Sequence, residues 1–108
     1  MKIALCSKEN KKESLVDDRF ARSEYFVIFD DEKKDFNFIK NNSNTEHGAG
    51  PKAIQFLAEQ NVNIIIAPPL GKNATMAAEG SKIQVYLQEN KSIEENLKAF
   101  KENLLNKQ

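Results

Sequence analysis

Between residues 47 and 70 the pattern of apolar and polar positions passes through a glycine turn, a helical face and a buried strand in succession. Pro51 suits the first turn of a helix, where its missing N–H is no loss and its fixed φ is already helical. Ala53, Phe56 and Leu57 recur at helical spacing, and Ile54 and Ala58 widen the same face. Asn61 is placed to end this helix, because asparagine tolerates left-handed backbone. Val62 to Ala67 then runs β-branched and almost continuously apolar, the pattern of a strand covered on both faces in a parallel sheet. Pro68 and Pro69 stop it.

Around this block the rest of the chain reads as follows. Lys2–Cys6 is a short apolar strand, and the lysine-rich residues 7–14 form a solvated loop. Residues 15–22 show no clear period and hold a turn. Glu24–Phe29 is aromatic and β-branched, Asp30–Lys34 is a charged turn, and Asp35–Lys40 resumes with Phe36, Phe38 and Ile39, so the pair predicts a hairpin. Asn41–Glu46 is a loop by composition. Lys72–Glu79 predicts a short helix ended by Gly80, with Met76 in its core stripe, and Ile83–Leu87 a further strand. Ser92 caps a last helix, with Glu95 completing a capping box and Ile93, Leu97, Phe100 and Leu104 along its buried face.

The order β, β, β, α, β, α, β, α predicts a three-layer α/β/α sandwich, one domain over residues 1–108. The first, fourth and fifth strands form its parallel centre, the hairpin extends one edge, and right-handed crossovers put helices on both faces. In such sheets ligands bind beyond the carboxyl ends of the parallel strands. Cys6, Ser7 and the Gly71 turn fall there. If the second strand runs against the first, Arg19–Arg22 and the loop ending at His47 reach the same rim.

Charge narrows the function classes. Sixteen basic residues balance 16 acidic ones, which leaves no basic footprint for nucleic acid. A single cysteine cannot form an internal disulfide, no apolar run is long enough to span a bilayer, and no signal segment is present, so a cytoplasmic protein without membrane partners is expected. Two-metal nuclease chemistry needs clustered carboxylates, and Lys2–Cys6 and Val62–Ala67 contain none. One histidine and no Gly-x-Ser-x-Gly or P-loop motif give no nucleophile–base set, so no catalysis is expected.

What remains points to binding. His47 stands beside glycines where an imidazole can reach a metal, or it hydrogen-bonds within its loop. Gly48 and Gly50 leave the first N–H groups of the following helix uncovered, a ready anion site, and Lys72 and Asn73 offer the same at the next helix. Arg19 and Arg22 can clamp an anionic cofactor or pair with Asp17, Asp18 and Glu24. Cys6 is either a metal ligand or, more in keeping with free cysteines generally, core packing.

The chain also resembles a known family, the dinitrogenase iron-molybdenum cofactor biosynthesis proteins, or nitrogenase accessory factor-like domains. The resemblance runs over nearly the whole length. Met1–Ala4 matches the opening strand, Arg19–Phe26 is similar to an "HFGRAPYF" segment, His47–Pro51 to an "HGAGP" turn, and Ala67–Ala74 to "AGGLGPNA". Val85-Tyr86 and Ser92–Glu95 complete it. It implies a ribonuclease H-like motif with five mixed strands in the order 3-2-1-4-5, in agreement with the topology above. It also implies a non-enzymatic binding or carrier protein for an iron–sulfur or iron-molybdenum cluster, with cluster-assembly proteins as partners. Arg19 stands where the family has histidine, Ala21 where it has glycine, and Pro68-Pro69 where it has paired glycines. Those departures support an alternative: a metal-free regulatory module, for which the third strand's edge or Phe20 would supply a homodimer or partner contact.

Overall fold

The computed structural model describes residues 1–41 and 49–108. Strands β1 (Lys2–Ser7), β2 (Tyr25–Asp30) and β3 (Asp35–Lys40) are followed by α1 (Ala49–Glu59), β4 (Ile64–Ala67), α2 (Lys72–Gly80), β5 (Gln84–Leu87) and α3 (Ile93–Lys101). The five strands form one sheet in the order β3-β2-β1-β4-β5. β1 pairs antiparallel with β2, and β2 with β3, whereas β1–β4 and β4–β5 are parallel.

Register decides what reaches the carboxyl rim. Cys6 and Ser7 at the end of β1 pair with Phe26 and Tyr25 at the start of β2, and Tyr25 pairs with Lys40 at the end of β3. The chain before β2 and the chain after β3 therefore emerge at the rim where β1 and β4 end, as the hairpin reading required.

Alternation along the strands builds two cores. On one face Ala4, Cys6, Phe26, Ile28, Ile65 and Val85 pack with Ile54 and Leu57 of α1 and Ala74 and Ala78 of α2. On the other, Ile3, Leu5, Val27, Phe29, Ile64 and Ile66 pack with Ile93 and Leu97 of α3. The capping box of α3 forms: Ser92 Oγ accepts from the Glu95 N–H and Glu95 Oε1 from the Ser92 N–H, both at 3.1 Å. Asn61 takes a left-handed conformation, with φ 64°, as the end of α1 requires. None of the described helices is long and apolar enough to cross a membrane.

Four expectations fail, each for a physical reason. Residues 7–14 are not simply solvated: Ser7 and Ser14 are buried, and their hydroxyls bond the loop's own Glu9, Leu15 and backbone partners. Met76 is exposed, because Ala74 and Ala78 alone supply the buried stripe of α2. Leu104 is exposed too, since α3 stops at Lys101, left-handed Asn103 turns the chain, and Leu105 enters the core instead. Phe20 is buried edge-on against Phe26, their ring centroids 6.0 Å apart, so it offers no partner surface. Past α3 the tail runs along the outer edge of β5, with Leu87 N–H bonded to the Asn106 carbonyl at 2.8 Å and Gln108 N–H to the Val85 carbonyl at 2.9 Å. That pairing covers one of the sheet's two open edges.

Candidate functional site

The carboxyl rim assembles from five segments: the end of β1, the turn at 17–24, the end of β3, and the starts of α1 and α2. Cys6 is fully enclosed by the α1/α2-side core, and its thiol donates to the Phe20 carbonyl at 3.7 Å. Burial pushes the thiol up to about 12, so it carries no thiolate at neutral pH.

Beside it lies a carboxylate that sequence reading took for an ordinary loop charge. Asp17 has no exposed surface, and its N–H bonds the Cys6 carbonyl at 2.8 Å. Its Oδ1 accepts from Arg19 N–H and Nε at 3.0 and 3.2 Å, and its Oδ2 from Arg19 Nη2 and Glu24 N–H at 3.2 and 3.1 Å. Burial acts to raise the carboxyl, but the Arg19 side chain and the two backbone donors outweigh it and hold Asp17 below the usual range. Arg19 also reaches Glu24 at 3.7 Å. The Asp17 carbonyl in turn accepts from Gln88 Nε2 at 2.9 Å, which ties the turn to the end of β5. Arg19 is thus committed to its charge pair, the alternative left open by the sequence. The signal for this node was the spacing Asp17-x-Arg19 ahead of an apolar strand: an Asx-type turn closes that way.

The opposite side of the rim is built differently. A Cβ added at Gly50 would come within 3.0 Å of the Ala74 Cβ, so glycine here lets the first turns of α1 and α2 touch. Gly71 at the start of α2 is extended, and no side chain caps the helix. Its first N–H groups, at Lys72 and Asn73, are therefore presented outward from two exposed residues. Arg22 is exposed on the 17–24 turn. His47 and Gly48 lie outside the described residues. The structure thus brings Gly50, Lys72 and Asn73 together, buries Cys6 in the core beneath them, and ties the exposed Arg19 to Asp17.

A further feature of this side had no signal in the residue pattern. β2, the end of β3 and α1 frame a half-open cavity of about 360 Å³, lined among the described residues by Phe26, Ile39, Lys40, Asn41, Lys52, Ala53 and Phe56. It arises from long-range register, Phe26 against Ile39 and Tyr25 against Lys40, which no local period reveals. Among the described residues no group of three or more His, Cys, Asp or Glu side chains could hold a metal ion.

Known proteins share both sequence and architecture with this chain. The profile of the family described as "Dinitrogenase iron-molybdenum cofactor" matches residues 1–103. An uncharacterized protein of Methanocaldococcus jannaschii is 33% identical over 111 residues, spanning 99% of this chain and 91% of its own. A solved Thermotoga protein, provisionally described as NifB, is 35% identical with a TM-score of 0.86 over 98% of this chain and 91% of that one. The apo orange protein of Desulfovibrio gigas shares the fold, with a TM-score of 0.93 at 24% identity over 99% and 92% of the two chains.

Proposed function

The chain belongs to the dinitrogenase iron-molybdenum cofactor family, and on that premise we propose that it is a non-enzymatic carrier of an iron–sulfur or iron-molybdenum cluster, or of a precursor, during metallocluster assembly. The cluster is cargo. The donor chemistry of the described residues limits what form it takes. A cluster held wholly by the protein needs about four thiolates or an equivalent ligand set, whereas Cys6 is the sole cysteine and its thiol is buried and protonated at neutral pH. A preformed anionic cluster that brings its own sulfides fits better, because it asks for N–H donors and positive charge.

The observation that carries this reading is the contact of Gly50 with Ala74, which sets two helix N-termini side by side at the carboxyl rim. Each helix start presents N–H groups and the positive end of a dipole. In the proposal Gly48, Gly50, Lys72 and Asn73 supply backbone donors, Arg22 supplies charge, and His47 is the single direct metal ligand. Arg19 braces the turn through Asp17, and Cys6 packs in the core beneath. Cluster-assembly proteins are the proposed partners.

The test is anaerobic: apo-protein is mixed with a reconstituted cluster and iron is counted after gel filtration. Wild type retains iron, and His47→Ala loses most of it while keeping its denaturation midpoint. A wild type that retains none, under conditions that load a family member with both histidines, removes the carrier reading. The alternative of a metal-free module then stands, and the capture of Arg19 by Asp17 where the family has histidine is the observation in its favour.

A further inference from the structure

The start of α2 is held by a side chain remote in sequence. Gly71 stands just before the helix, and no side chain there caps its first N–H groups. Upstream, β4 ends at Ala67, and Pro68 and Pro69 have no N–H, so Leu70 carries the next backbone donor. Gln108 meets it: the Leu70 N–H bonds Gln108 Oε1 at 2.8 Å, across a separation of 38 residues. Gln108 Nε2 in turn donates to the Leu70 carbonyl at 3.4 Å and to Thr75 Oγ1 at 2.9 Å. Thr75 closes the circuit, its hydroxyl and its N–H each donating to the Gly71 carbonyl at 2.9 Å.

Gln108 is itself placed by the segment that leads to it. Leu105 is buried in the α3-side core, Lys107 bridges Tyr86, and the Gln108 N–H bonds the Val85 carbonyl at 2.9 Å. A carboxamide offers a donor and an acceptor together, so it pairs with the N–H and C=O of Leu70 as a strand's peptide group would. We propose that Gln108 is a positioning residue for the carboxyl rim: through Leu70 and Thr75 it fixes the Leu70-Gly71 turn, and with it the direction in which α2 presents its first N–H groups. The consequence for cluster binding rests on the carrier reading, whereas the positioning itself does not. A side chain that merely anchored the tail to β5 would have no need of Thr75.

Amide hydrogen exchange, followed by NMR on the full chain without iron, separates positioning from anchoring. Gln108→Ala should speed exchange at Leu70, and also at Thr75 and Met76 in the first turns of α2, by about fivefold. The amide of Ile65 in β4 and the urea midpoint should not move, because Gln108 is exposed and touches no core residue of that strand. Thr75→Val keeps the side chain's shape without its hydroxyl and should reproduce the effect at Met76. Thr75→Ser keeps the hydroxyl and should leave Met76 as in wild type. In the iron assay above, Gln108→Ala should retain about threefold less than wild type at an unchanged midpoint. Faster exchange confined to Leu70 and the tail would overturn the proposal, as would a loss at Met76 as large in Thr75→Ser as in Thr75→Val. Full iron retention by Gln108→Ala, where wild type loads, would overturn it too. A wild type that loads no iron removes the carrier reading instead, and exchange in α2 then decides the positioning by itself.

Discussion

The two sides of the carboxyl rim use charge in opposite ways. On the 17–24 side, Arg22 aside, the charges close on one another: Asp17 accepts four hydrogen bonds, two of them from the Arg19 guanidinium, and Arg19 also meets Glu24. On the α1/α2 side no side chain caps the helix N–H groups of α2, and Lys52 of α1 enters no ion pair among the described residues. A satisfied charge holds the chain to itself, and an unsatisfied one is available to something else. Structure and binding are thereby assigned to different halves of one rim, and substitutions can test the division.

The largest effect is expected at Asp17. Asp17→Ala strands two backbone N–H groups and a guanidinium that is 54% exposed, so the full penalty for a broken buried pair is discounted to about 2–3 kcal/mol. Urea denaturation measures the loss. Cluster retention should not change at temperatures where the variant stays folded, and a parallel loss of retention would merge the two halves. The pH dependence follows from the same node. Because the folded-state carboxyl lies below its unfolded value of about 3.9, its contribution is fully present above that pH. It is lost as pH falls through the lower folded value. Asp17→Asn should be the less stable protein at neutral pH and show a flatter decline in acid.

Next in size is the seam that joins the two helix starts. Gly50→Ala drives a methyl into the Ala74 Cβ at 3.0 Å and is expected to cost about 1 kcal/mol despite alanine's better helix propensity. Ala74→Gly in the same chain should recover most of it. A double-mutant cycle gives the coupling, and one near zero would mean the helices adjust freely. Cluster retention is expected to fall with Gly50→Ala and return in the double variant, the reverse of the Asp17 result.

Cys6→Ala comes third, at about 1 kcal/mol for a small buried side chain, with retention unchanged. With its thiol raised to about 12, native Cys6 should react with a disulfide reagent at neutral pH only as fast as the protein opens. Rapid modification of the folded protein would return Cys6 to the list of ligands.

How legible all this was in the sequence depended on range. Patterns confined to a few residues survived: the capping box at Ser92 and Glu95, left-handed Asn61, and the apolar run of β4 all formed. The sheet order was legible because blocks of strand and helix period leave few topologies to choose among. Met76 and Leu104 misled because helical spacing names a face, and the neighbouring elements decide how wide that face is. Asp17 was hidden for a related reason. A carboxylate in the aperiodic 15–22 turn reads as a surface partner for Arg19 or Arg22 until register puts the Cys6 carbonyl, the Glu24 N–H and Gln88 around it. The cavity beside Lys40 depends on pairing between strands and an α1 face beyond them, and local pattern carries none of that.

The smallest effect is expected where the family resemblance would lead one to look for the largest. Arg19→His introduces the residue that the resemblance leads one to expect there, and from sequence alone it is the natural way to regain a metal ligand. The structure argues otherwise. A histidine at position 19 faces the Asp17 carboxylate, which sits buried with two backbone donors fixed to it. A neighbouring carboxylate raises an imidazole's pKa, and a protonated imidazole donates hydrogen bonds and cannot bind a metal. The variant should therefore retain iron within about twofold of wild type, with a stability loss of about 1 kcal/mol from exchanging a two-pronged donor for a single one. NMR titration of the new imidazole should give a pKa above the ordinary 6.5 or so. An imidazole titrating at or below that value, together with a clear gain in retained iron, would show that the 17–24 half of the rim can also bind, and the division between the two halves would fail at the residue that most sharply defines it.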